Sequence, residues 1–222
     1  MAIPSSSDPD RVPVPYRLFA ARRARGLVVP YITVSHRDPA RPVWGMLDPV
    51  RAHQVLWGKR CQICGQPLTD PFVVFIRSLD YQRGLAVEPG IHPECGHYSR
   101  RACPMLNGHQ HHYHANPAVR FAHCDDPHCE CRHWQPHDPD PRESARDGLP
   151  AESWYEAWLH IDDYQVVEDP GSETAAPATG INLKGVRFRR IRKIRDSAAP
   201  DTGARAPEVL DLLIATQALF GY

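Results

Sequence analysis

Two pairs of metal-capable side chains constrain this chain more than any other feature. "RCQICGQPL" sets Cys61 and Cys64 on either side of a tight turn, and "GIHPECGHY" repeats the spacing with His92 and Cys95. In a Cys-x-x-Cys turn the sulfurs converge because the backbone reverses between them, and Gly65 relieves the steric cost of that reversal. Pro93 suits the first turn of a helix. His92 and Cys95 therefore straddle a predicted helix start, where the helix dipole favours a thiolate. Three thiolates and an imidazole suit a tetrahedral zinc ion. The spacing predicts one site made of Cys61, Cys64, His92 and Cys95. A redox reading of Cys61 and Cys64 lacks the βαβ surroundings it would need.

A metal also answers a shortage elsewhere. The chain has 23 prolines in 222 residues, roughly double the usual share, so much of it must be loop and the core must be thin. Coordination supplies folding energy that burial does not. Seven cysteines with 13 histidines point to metal ligation rather than a disulfide framework. Basic and acidic residues balance at 26 each, so overall charge gives no argument for a nucleic-acid or membrane partner. The N-terminus shows no secretory signal pattern, and no run of 18 apolar residues occurs. The expectation is a cytoplasmic protein with no membrane partner. No Gly-rich phosphate loop is present, so no nucleotide cofactor is expected.

Along the chain, residues 1–40 read as an N-terminal extension and an edge strand, with a short helix ending at Gly26 and Pro30 confining "LVVPYITV" to an edge or a bulge. Residues 41–106 hold the metal module. Its first helix starts at Asp48 and Pro49, has Val50, Val55 and Leu56 near one face, and ends at Gly58. The stretches 72–79 and 84–88 read as two strands joined by a turn at "DYQRG", before the helix that Pro104 stops. Residues 107–135 are a His/Cys-rich arm and 136–152 a linker. Residues 153–222 form a β-hairpin, pairing 153–168 with 181–195, then a helix with Val209, Leu210, Leu213 and Ile214 on its apolar side. The predicted class is α+β.

Knuckle, hairpin, then a helix bearing the second ligand pair resembles the treble-clef zinc-finger group over residues 58–104. The resemblance implies a scaffold and names no activity, because treble clefs serve many functions. One branch, the HNH-type nucleases, adds a catalytic His and an open divalent ion. Here the Asp-His expected before the helix is absent, and only His92, His97 or the His-rich arm remain for such a metal-dependent hydrolase. No residue is assigned a catalytic role.

Three further readings concern ligands. In the arm, Cys124, Cys129, Cys131 and His133 make a candidate second metal site. Cys103, ~12 Å beyond Cys95 on a continuous helix, cannot share the first. In "RFRRIRKIRD", Arg187, Arg189, Arg190 and Arg192 are candidates for tracking a phosphate backbone, against the alternative of an edge strand protected by charge. Trp154, Tyr155 and Trp158 read as core packing. The overall expectation is a non-catalytic zinc-binding module recognising nucleic acid or a protein partner.

Overall fold

The computed structural model describes residues 12–113, 123–134, 147–172, 176–199 and 208–220. The fold is mixed α and β, with small antiparallel sheets and four α-helices among the described residues. Residues 114–122 of the arm and most of the linker lie outside the described residues.

The chain enters through a 3-10 turn, Tyr16–Leu18, and a tight hairpin of β1 (Arg23–Ala24) and β2 (Leu27–Val28). The helix expected to end at Gly26 does not form. Arg25 and Gly26 both take left-handed φ values, 50° and 77°, which make a two-residue hairpin turn with the twist antiparallel strands need. Past Pro30 come β3 (Thr33–Ser35) and β4 (Pro42–Leu47), paired with each other. Helix α1 (Pro49–Trp57) starts where its cap predicts, with Asp48 Oδ1 accepting from the Arg51 amide at 3.0 Å. Val55 and Leu56 are buried, but Val50 is exposed, being about 140° around the helix from Val55.

Strand β5 (Phe72–Ile76) is buried at every position, so both faces need cover and its edge needs a partner. It takes that partner from β7 (Trp154–Leu159), which is central in the order β10-β7-β5, with β10 at Arg190–Arg195. The predicted hairpin between 72–79 and 84–88 is therefore absent. Helix α2 (Ser78–Arg83) occupies the supposed turn. It is held at its start by the Arg77 amide donating to Asp80 Oδ2 at 2.9 Å and ends at Gly84. Strand β6 (Leu85–Ala86) then joins a second sheet of order β6-β9-β8, with β8 at Val166–Asp169 and β9 at Ala178–Asn182.

The C-terminal hairpin is nested rather than continuous. Its outer strands β7 and β10 pair in the first sheet, while β8 and β9 pair in the second. Helix α3 (Pro93–Ala102) carries Cys95 and packs against β5, and helix α4 (Val209–Phe220) packs on the core. All four expected residues of α4 meet it: Leu210 is fully buried and Val209, Leu213 and Ile214 pack against it. Trp154 and Tyr155 are buried as expected. Tyr155 adds a hydroxyl donated to Asp211 of α4 at 2.9 Å.

Candidate metal centres

The first centre is assembled by three segments that share backbone hydrogen bonds. In the knuckle, the Gly65 amide donates to Cys61 O at 2.8 Å and the Cys61 amide to Gln66 O at 2.9 Å. Gly65 has φ +74°, and an added Cβ would lie 2.7 Å from the Tyr31 ring, so position 65 needs glycine on both counts. Tyr31 donates its amide to Ile63 O at 2.9 Å, which binds the N-terminal segment to the knuckle. Beneath, Gln62 Nε2 donates to Pro89 O at 2.8 Å. Val73 and Ile91 exchange backbone bonds of 2.9 and 2.8 Å, which leads the chain from β5 to His92. Pro93 opens α3, so Cys95 sits one turn from His92.

Cys61, Cys64, His92 and Cys95 each offer one ligand atom, and the four atoms lie within 4.8 Å of one another. Cys61, His92 and Cys95 are buried and Cys64 is half-buried. The imidazole is already oriented. Nε2 lies 2.9 Å from Pro67 O, so it donates there, and Nδ1 faces Cys64 Sγ at 3.5 Å. A ring whose far nitrogen is held by a carbonyl presents its lone pair to a metal in a fixed direction. Such crowding is electrostatically awkward without a cation. Hydrogen bonds from Cys61 and Cys95 draw the Cys64 pKa far down, while the Cys61 and Cys64 sulfurs push Cys95 far up. Burial opposes charge on His92, yet Cys61 and Cys64 raise it to about 10.

The second group departs from the sequence reading in one ligand. Cys124, Cys129 and Cys131 converge as expected, but the fourth atom within 4.8 Å comes from His36. His133, on the 3-10 turn Glu130–His133, is exposed and stands outside the group. A ligand at position 133 would have to reverse direction two residues after Cys131. His36 arrives instead from the loop between β3 and β4, a stretch in which no ligand was expected. Its Nδ1 lies 3.8 Å from Cys129 Sγ. The Arg37 amide donates to the same sulfur at 3.3 Å, and the His36 ring stacks 5.1 Å from Trp134. The Cys124 and Cys131 sulfurs are 3.5 Å apart, too far for a disulfide. Amides of Cys131 and Arg37 lower Cys129 to about 6. Despite the Cys124 amide, burial and the two neighbouring thiols raise Cys131.

The remaining candidates are placed as follows. Cys103 caps the end of α3, away from both groups, and burial raises its pKa. His97 is exposed, with Arg100 Nη2 2.8 Å from its Nδ1. His109, His111, His112, His123 and His128 belong to neither group. The basic strand is shorter than expected, because β10 begins only at Arg190 and leaves Arg187 and Arg189 in the approach to it. Arg189 pairs with Asp70 at 3.0 Å and Arg192 with the buried Glu156 at 2.6 Å. Among the described residues, no helix is long and apolar enough to cross a membrane. Comparison with known families, curated proteins and solved structures finds no match to this chain.

Proposed function

We propose that this chain is a non-catalytic zinc protein, a scaffold stapled by two Cys3His centres that recognises a nucleic-acid or protein partner. The observation that carries the reading is the donor geometry. Four ligands around zinc at ~2.3 Å to sulfur and ~2.0 Å to nitrogen put sulfurs ~3.8 Å apart and sulfur and nitrogen ~3.5 Å apart. The separations here are 3.5 Å for Cys64 and His92, 3.8 Å for Cys129 and His36, and 3.5 Å for Cys124 and Cys131. A divalent ion would offset the negative charge that three thiolates bring together at each centre.

A centre closed by four protein ligands keeps no position for a reacting water, which marks structural rather than catalytic zinc. The hydrolase alternative also loses its first candidate, since both ring nitrogens of His92 are engaged. The knuckle, the Val73–Ile91 bridge and α3 carrying Cys95 support a treble-clef-like reading of the first centre. Elemental analysis of the purified chain tests the proposal. Two zinc ions per chain are expected; iron, or no bound metal, overturns it.

A further inference from the structure

Helix α3 does more than carry a ligand. Its last turn holds Arg100 and Arg101, and it lies beside the strand pair in which Arg190 faces Trp158 and Arg192 faces Glu156. Among the described residues, Glu156 is the one carboxylate ion-paired to these side chains, and it is 1% exposed. It accepts from Trp158 Nε1 at 2.6 Å and from Arg192 Nη2 at 2.6 Å, with Arg100 Nε 3.8 Å away. Among the described residues, one buried carboxylate thus stands against four guanidiniums. Their mutual repulsion is felt: burial, then Arg192, lower the Arg100 pKa, and Arg101 and Arg190 add to it against the pull of Glu156. Arg100 Nε is closed off from solvent with no hydrogen-bond partner among the described residues.

We propose that Arg100, Arg101, Arg190 and Arg192 form a phosphate-binding surface that takes the backbone of a nucleic acid. The proposal deepens the scaffold reading and rests on it, because the first centre fixes the helix that aims two of the four. Arginine is the side chain suited to this task, since its planar fork donates in pairs to phosphate oxygens. Two of the four are already ordered, Arg192 by Glu156 and Arg190 by lying over the Trp158 ring at 5.9 Å, so less side-chain freedom is lost on binding. Strand β10 is at the edge of its sheet, and positions 190 and 192 repeat along it at ~6.6 Å. A row of charges from a strand and a helix suits a chain of anions better than one small anion. A peptide would need an apolar anchor. The exposed large hydrophobic side chains, among them Trp44, Trp57 and Leu219, include none from α3 or β10.

The test is fluorescence anisotropy of the zinc-loaded full chain with labelled single-stranded and duplex DNA of about 20 nucleotides, at about 50 and about 200 mM salt. The double variant R101A/R190A leaves the Arg192–Glu156 pair in place. It is expected to bind at least about tenfold more weakly, with a log–log salt slope shallower by roughly 0.7–0.9 per lost contact. R41A, an exposed arginine elsewhere, is expected to bind as the parent does. Unchanged binding by R101A/R190A overturns the proposal. So does no binding by the parent to either DNA, or equal binding to a glutamate-rich peptide of matched charge, which would assign the surface to an acidic protein. Zinc content measured on the same samples separates this failure from that of the scaffold: two zinc ions without DNA binding would overturn the surface alone.

Discussion

His36 Nδ1 stands 3.8 Å from Cys129 Sγ although 93 positions separate the two residues. The contact makes the loop between β3 and β4 part of the same centre as the arm. Among the described residues, Trp134 is the only apolar side chain packed against the cluster of Cys124, Cys129 and Cys131. Replacing His36 with Ala is therefore expected to remove one of two zinc ions, while His133→Ala keeps both. Because this cluster is separate from the main core, His36→Ala should move the main melting transition by less than about 2–4 °C, the effect of about 1 kcal/mol in a chain of this size. Metal analysis beside calorimetry checks both halves. Zinc loss on His133→Ala would refute the assignment.

The first centre should behave differently, because Cys61 and Cys95 are members of the main core. Structural zinc contributes about 10–16 kcal/mol of apparent binding energy in small domains, as much as or more than the ~5–15 kcal/mol that holds a folded domain. Cys95→Ser is expected to lose the metal and the cooperative transition together, with exchange broadening of core amide signals in NMR spectra. A variant that keeps a sharp melting transition would show that the centre is not the staple proposed here.

The contrast between the two centres marks what can be read from residues alone. Cys61, Cys64, His92 and Cys95 announce themselves because each pair is local, and a turn or a helix start fixes each pair's geometry. His36 gave no such sign: it lies in a loop, and only the tertiary fold brings it to Cys129. The same division runs through the fold. Asp48 and Pro49 place the start of α1, and the apolar spacing of Val209, Leu210, Leu213 and Ile214 places α4 on the core. Phe72–Ile76 was legible as a strand, but its partner was not. A strand buried on both faces pairs with whatever edge the tertiary fold supplies, and here that is β7 rather than its neighbour in sequence. "SLDYQR" was misread as the end of a strand and a turn, because Asp80 satisfies a backbone amide at its start and converts a polar stretch into a helix.

That same Asp80 supports a third prediction. Its carboxylate accepts from Arg77 Nη2 at 2.7 Å, from Nε at 2.8 Å and from the Arg77 amide at 2.9 Å, with both side chains almost wholly buried. Removing one partner of a buried pair costs about 3–5 kcal/mol, because the other charge stays behind unpaired. Glu152 keeps a 3.1 Å bond to Arg77, which holds the cost to the lower end. Asp80→Asn should lose about 3 kcal/mol in denaturant unfolding, yet retain both zinc ions. If stability is unchanged, α2 is not anchored by this pair.

The second sheet offers a purely steric test at Gly180 in β9. A Cβ there would lie 2.2 Å from Ala86 O and 2.9 Å from Ala86 C, and Ala86 is paired beside it through Ile181. The obstacle is backbone held in a ladder, so no side chain can rotate aside to make room. Overpacking of this kind costs about 1–3 kcal/mol, which at about 2–4 °C per kcal/mol lowers the melting temperature measurably. Because β6 joins the core to the segment leading toward His92, Gly180→Ala should also speed zinc release to a chelator from the first centre and leave the second unaffected. Equal release from both centres would mean that the sheet does not brace the first one.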